Sequence, residues 1–280
     1  MKLVKKTVID KPAEFYNLHV KNDHNYIAND AVVANCHQAK GEVLKKILTQ
    51  NVRNAPIRWG LTGTTPKEEF EFNALIVAIG PITNKVSAKE LQDKGVLARC
   101  HVNVCQLLES VAYPTYQSEL KYLTTDSARM AYIGEMLGNV AKTGNTLILV
   151  DRIASGELLQ EAIPDSVFVK GDVKLKDRKN AYTDINEADN MTVIATYGVA
   201  AVGINIPRIF NLVMIEPGKS FVRVIQSIGR GVRKAKDKDF IQIWDFTSSC
   251  KFSKRHLTAR KKFYSQAEYP YSIKKIDWTK

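Results

Sequence analysis

Acidic residues are scarce in this 280-residue sequence: 29 Asp and Glu face 41 Lys and Arg, leaving a formal net charge of +12. Such an excess favours a polyanionic partner, because neutralised phosphates release counterions, and nucleic acid is the leading candidate. Cysteine is sparse too. Cys36, Cys100, Cys105 and Cys250 form no CxxC pair and no zinc-ribbon spacing, so reduced thiols in a cytoplasmic setting are the simplest reading. Cys100, His101 and Cys105 are ligand types without a second ligand pair, and no metal site is expected of them. No apolar run reaches the roughly 18 residues of a membrane span. Met1 opens a basic, β-branched segment rather than a signal peptide, and no membrane partner is expected. Repeats and low-complexity tracts are absent. So is a complete GxxxxGKS/T phosphate loop: Gly218-Lys219-Ser220 imitates its end, but Val213 stands where the motif needs glycine.

What is present is enough apolar material, 45% of residues, for two packed domains. Residues 1 to 35 are short β-rich runs, with Phe15, Tyr16, Leu18 and Val20 in one strand and Tyr26, Ile27, Val32 and Val33 further on. Character switches near residue 36. Val43, Leu44, Ile47 and Leu48 fall at helical spacing, and Ile57 to Leu61 reads as a buried strand. Strands are expected at Val96 to Val104, Thr146 to Val150, Val167 to Val169, Thr192 to Ala195, Asn211 to Ile215 and Phe240 to Trp244. They alternate with helical stretches, the longest from about Ser118 to Val140, as in a parallel sheet with crossover helices. A domain boundary is expected near residue 112. The tail from Phe252 to Tyr264 reads as a basic helix interleaved with aromatics. That composition suits gripping phosphates and bases, and equally a solvated helix packing Phe263 into the core.

The segment Phe15 to Val20, then Asp23-His24-Asn25-Tyr26, Ala28-Asn29-Asp30 and Val32-Val33-Ala34-Asn35-Cys36 resembles the C-terminal splicing blocks of split inteins. The residue types suit the chemistry. An Asn side-chain amide can attack its own main-chain carbonyl, closing a succinimide and cleaving the Asn35 to Cys36 bond. A following Cys thiolate can accept the upstream extein as a thioester, and His24 would supply acid-base help. Met1 lies about where natural split inteins restart, so the resemblance implies a separate N-terminal intein-helicase precursor and splicing in trans.

Cys36-His37 followed by Gln38-Ala39-Lys40-Gly41 resembles the second half of a DECH box, whose Asp and Glu would arrive by splicing. Thr62-Gly63-Thr64 follows a strand where superfamily-two helicases carry a small hydroxyl motif. Gln226-Ser227-Ile228-Gly229-Arg230-Gly231-Val232-Arg233 resembles their arginine-finger motif, and helical spacing would put Gln226, Arg230 and Arg233 on one face. Val193 to Gly198 and Gly203-Ile204-Asn205-Ile206-Pro207 resemble the motif that meets both nucleic-acid backbone and nucleotide, with small residues permitting close phosphate approach. Leu147 to Arg152, and Gly171-Asp172 with Arg178, fit further second-domain motifs.

With Ile241 to Phe246 and the tail, the resemblance narrows to phage branch-migration helicases of the UvsW-like, DECH type. It implies an α/β chain: an intein C-fragment over 1 to 35, the end of a first RecA-like domain over 36 to 112, and a complete second one over 113 to 280. Asn35, Cys36 and His24 would serve splicing, while His37, Arg230 and Arg233 would serve ATP hydrolysis. Gln226, Gly229, Gly203 and Asn205 would meet nucleotide. Thr62, Thr64, Thr196, Gly171 and Arg178 would meet branched or single-stranded DNA. ATP and Mg²⁺ would be held mainly by the missing upstream half. A restriction-system motor subunit is the rival enzyme, and an inactive DNA-binding helicase fragment the rival binding protein.

Overall fold

The computed structural model describes residues 25–28, 31–35, 46–51, 57–62, 68–171, 184–201 and 206–279. The chain divides into two compact units, Met1–Asn84 and Lys85–Lys280.

In the first unit, β1 (Asn25–Ala28) and β2 (Ala31–Asn35) form an antiparallel hairpin, and β2 runs parallel to β3 (Ile57–Leu61) with Asn35 opposite Leu61. The expected division at residue 35 is therefore not a break between sheets. The backbone of β2 has a partner on each side, β1 and β3. A π-helical turn (Ile47–Asn51) replaces the expected helix over its described part, and α1 (Glu69–Ile79) buries Ala74, Leu75 and Ala78.

The second unit is a seven-stranded sheet in which every pairing is parallel. Its strands are β4 (Arg99–Leu107), β5 (Thr146–Val150), β6 (Val167–Val169), β7 (Thr192–Thr196), β8 (Asn211–Ile215), β9 (Phe240–Ser248) and β10 (Tyr271–Ile276). They lie in the order β10-β4-β9-β8-β5-β7-β6. Three of the expected strands match residue for residue. β4 and β9 run on past the expected ends, and β10 was hidden because its pattern, Tyr-Ser-Ile-Lys-Lys-Ile, is mostly exposed. β4, which precedes the expected boundary near residue 112, registers along its whole length with β9 within the second compact unit.

Both faces of this sheet are covered, which is why its strands read as continuous apolar runs. Leu147, Leu149, Val193, Ala195, Leu212, Met214, Ile241 and Ile243 face one core with Val224, Ile228, Leu257 and Tyr264. Ile148, Val150, Ile194, Val213, Ile215 and Phe246 face the other with Met130, Ile133, Leu137 and Leu159. Each such side chain contributes about 1.5–3 kcal/mol by leaving water. The helices supplying these layers are α4 (Ser127–Ala141) and α5 (Ile153–Ala162) on one face, α7 (Phe221–Gly231) and α8 (Lys251–Gln266) on the other. Before them in sequence lie α2 (Ala88–Asp93) and α3 (Tyr116–Thr125), and between α5 and α7 the short α6 (Tyr197–Ala201). The single helix expected from Ser118 to Val140 is two, because Asp126 leaves helical geometry and its carboxylate accepts the Arg129 amide to start α4 afresh.

Candidate functional site

The connection after β5 leads toward β6 on one side and the connection after β8 leads to β9 on the other, so the chain diverges at the carboxyl ends of these adjacent strands, the place where open parallel sheets offer a binding crevice. Asp151 follows β5 and accepts Arg223 from the first turn of α7 at 2.8 Å. Arg223 in turn lies 5.0 Å from the Tyr197 ring centroid, a cation–π stack on a buried aromatic. Burial and the carboxylates of Asp151 and Glu216 push the Tyr116 hydroxyl up, placing that ring in the same field. Ser220 caps α7 by accepting the Arg223 amide, so the Gly218-Lys219-Ser220 run is a turn and a helix cap.

The helix α7 buries Val224, Ile228 and Gly231 and turns Arg223, Gln226 and Arg230 outward, the first exposed and the others half-buried. Arg233 is not on this helix, contrary to its expected place beside Gln226 and Arg230. The helix ends at Gly231, and Arg233 bridges Leu97. The cause is Lys238, 2% exposed, whose ammonium donates to the carbonyls of Gly231, Arg233 and Pro207. Drawing these carbonyls to one cation ends the helix and fastens it to the stretch entering β8. Burial pushes the Lys238 pKa down to about 7. Arg233 is half-buried, and desolvation lowers its pKa as well.

The two glycines flanking Arg230 differ. A side chain at Gly231 would meet Ile241 at 2.6 Å, so that glycine lets α7 seat on the sheet. A side chain at Gly229 meets nothing within 4 Å. Thr196 ends β7 and accepts the Val199 amide at 3.4 Å, so its hydroxyl helps start α6. Gly171 is an exposed turn residue after β6, and Thr62 is half-buried after β3 in the first unit. His24, Cys36, His37, Thr64, Arg178, Gly203 and Asn205 lie outside the described residues, and of Asn35 only the backbone, at the end of β2, is described. Cys100 and Cys105 sit in opposite cores of β4 and cannot share a metal with His101, which hydrogen-bonds Ser272 at 2.9 Å. No group of three or more His, Cys, Asp or Glu suited to a metal occurs among the described residues.

Sequence reasoning missed two buried polar clusters behind the crevice. Arg129, 0% exposed, donates to Glu109 at 2.9 Å, to Glu216 at 3.0 Å and to the Leu123 carbonyl. Glu216 also accepts Ser253, and its backbone takes φ 41°, a left-handed turn directly after β8. In the second cluster, Asp245 accepts Arg260 through both oxygens at 2.8 and 2.9 Å and Tyr264 at 2.8 Å, while Arg260 also reaches the Gly218 carbonyl. Thus part of the tail is structural: Leu257, Arg260 and Tyr264 are buried, and Phe263 is only half-buried. The available signal was helical spacing, since Leu257, Arg260 and Tyr264 stand at i, i+3 and i+7.

Residues 128–235 match the family described as the helicase conserved C-terminal domain. The chain is 23% identical over 268 residues to the ATP-dependent DNA helicase uvsW of Enterobacteria phage T4, covering 92% of itself and 51% of that protein. It thus spans about half the length of the curated relatives it matches. Among solved structures, T4 UvsW matches with TM-score 0.57 and 21% identity over 88% of this chain and 53% of that one. A fragment of an HsdR subunit of a type I restriction enzyme from Vibrio vulnificus YJ016 matches with TM-score 0.63 and 20% identity, over 89% and 48%. S. cerevisiae Dbp5 bound to RNA and ADP BeF3 matches with TM-score 0.57 and 16% identity, over 86% and 59%. Over residues 128–235 the second unit is thus similar to the helicase conserved C-terminal domain, and its parallel sheet shares the fold of these solved structures.

Proposed function

We propose that this chain is the C-terminal precursor of an ATP-dependent DNA helicase or translocase that acts on branched DNA and is completed by protein trans-splicing. The observation that carries the reading is the junction itself: a run resembling the C-terminal splicing blocks of split inteins ends at Asn35, and Cys36-His37 resembles the second half of a DECH box. In the upstream precursor an N-terminal nucleophile would pass the extein to the Cys36 sulfur. Asn35 would then cyclise and release the intein, with His24 moving protons at the scissile carbonyl. Residues 1–35 would then be the intein part, and the first RecA-like domain would be completed only in the product.

The outward side chains of α7 suit the phosphates of a nucleotide. Arg230, half-buried on α7, and Arg233, anchored just past its end, offer planar guanidinium groups to phosphate oxygens, with Gln226 and Gly229 on the same outward stretch. ATP supplies the phosphoryl group, and these residues would hold it and balance its charge. His37, Gly203 and Asn205 would join them. Mg²⁺ would come with carboxylates of the upstream half. Thr62, Thr64, Thr196, Gly171 and Arg178 would touch DNA.

A second reading has one observation in its favour. β2 already pairs in parallel with β3, so Ala31–Asn35 occupies a sheet position without being spliced away, as an inactive DNA-binding fragment would require. A restriction-system motor is the remaining enzyme class, on fold likeness to the HsdR fragment.

Mass spectrometry on a mixture with the upstream precursor separates the readings. A ligated product whose share of this chain begins at Cys36, abolished by Asn35→Ala with Cys36→Ala, is the expected result. Unchanged masses under reducing conditions would sink trans-splicing. In the product, Arg230→Ala should cut DNA-stimulated ATPase by about a thousandfold while DNA binding is retained.

A further inference from the structure

We infer that the start of α8 and the loop after β4 form a second nucleic-acid contact, a basic groove that takes the phosphodiester backbone of a DNA strand. The inference rests on the reading that this chain engages DNA, and it adds a site away from Thr196 and Gly171. The groove has a volume of about 540 Å³ and is walled by Lys251, Lys254, Arg255 and Thr258 of α8, with Val111 and Ala112 opposite.

Three observations support it. Lys251, Lys254, Arg255, Thr258 and Lys262 are exposed along one side of α8, while Ser253, Leu257, Arg260 and Tyr264 are buried on the other. The groove's lining contains no carboxylate, and Lys254 and Arg255 form no ion pair among the described residues. Lys89, Lys94 and Lys234, exposed elsewhere in the unit, each have a carboxylate within 3.0 Å, whereas Lys142 and Lys236 stand singly without one among the described residues. Cations grouped without counter-charge repel one another, and a phosphate chain relieves that repulsion.

The walls are also fixed in place. Ser249 accepts the Glu109 amide at 2.8 Å and donates its own amide to the Leu107 carbonyl at 2.8 Å, while the Cys250 thiol reaches the Val111 carbonyl at 3.6 Å. The helix end is not the anion site. Glu119 already takes the Phe252 and Ser253 amides at 3.0 and 2.6 Å, so recognition falls to the basic side chains. Position completes the case. All strands are parallel, so the ends of β9 and β7 lie on one edge, three strands apart in the order β9-β8-β5-β7. At about 4.8 Å per strand this is roughly 14 Å, a distance one bound strand spans in a few nucleotides.

The test is fluorescence anisotropy of a labelled oligothymidylate of about 20 nucleotides with the full chain, titrated from about 50 mM salt upward. Lys254→Glu with Arg255→Glu is compared with a charge-matched control, Lys142→Glu with Lys236→Glu, at exposed sites before β5 and β9 on the opposite sheet edge. The groove variant should weaken binding about tenfold or more and lower the slope of log affinity against log salt by about 1.4, two phosphate contacts' worth. The control should change little. Equal losses in both variants would overturn the groove and leave DNA binding intact. No binding by the parent would overturn the DNA reading itself. If charge reversal disturbs folding by circular dichroism, Lys254→Gln with Arg255→Gln should give a smaller loss in the same direction, and no loss there would overturn the groove.

Discussion

Replacing Arg129 with Met tests whether the crevice loops are held by a buried ion cluster. Arg129 is 0% exposed, and its partners Glu109 and Glu216 are 1% and 5% exposed. The methionine fills similar space, so the loss comes chiefly from two buried carboxylates left without their cation. Removing one member of such a set costs about 3–5 kcal/mol. For a unit of this size each kcal/mol moves the unfolding midpoint by about 2–4 °C, so a fall of about 6–20 °C is expected in the second unit's transition by calorimetry. Adding Glu109→Gln and Glu216→Gln to the Met variant removes the unpaired charges and should restore about half the loss or more. A fall under about 2 °C, or no recovery in the triple variant, would refute the claim that charge pairing holds these loops.

Glu216 should also impose a pH dependence. Desolvation raises its carboxyl to about 6 from an ordinary 4.5, against the pull of Arg129, Arg260 and Ser253. The folded chain therefore binds a proton the unfolded chain releases, and this contribution is complete below pH 4.5 and lost as pH rises through 6. It amounts to about 2 kcal/mol. Urea denaturation of the parent minus that of Glu216→Gln should fall across this window, and a flat difference would contradict the assignment. The glycines of α7 give a paired prediction. Gly231→Ala, forced against Ile241, should cost about 1–3 kcal/mol, whereas Gly229→Ala, facing open space, should be neutral or stabilising by up to about 1 kcal/mol, both read by urea midpoint.

Much of the second unit was legible in the sequence. Runs such as Thr146 to Val150 and Asn211 to Ile215 are apolar at every position because both sheet faces are covered, and local pattern suffices to find them. β10 escaped because an edge strand with exposed lysines lacks that pattern. The Gln226 to Arg233 motif was legible by residue type, but its geometry was not. The end of α7 is set by Lys238, five residues beyond Arg233 and unremarkable in the sequence. The tail likewise showed its charge but not that Arg260 is spent on Asp245.

The sequence by itself determined the parallel-sheet class and the basic character, because each is written in neighbouring residues or in total charge. Only the tertiary structure decided that β4 belongs to the second sheet and that Asp151 meets Arg223. It alone joined Glu109, Arg129 and Glu216, residues up to 107 positions apart. Parallel strands bring distant segments to one edge, and burial then selects which charges must pair there; local propensity holds no record of either choice.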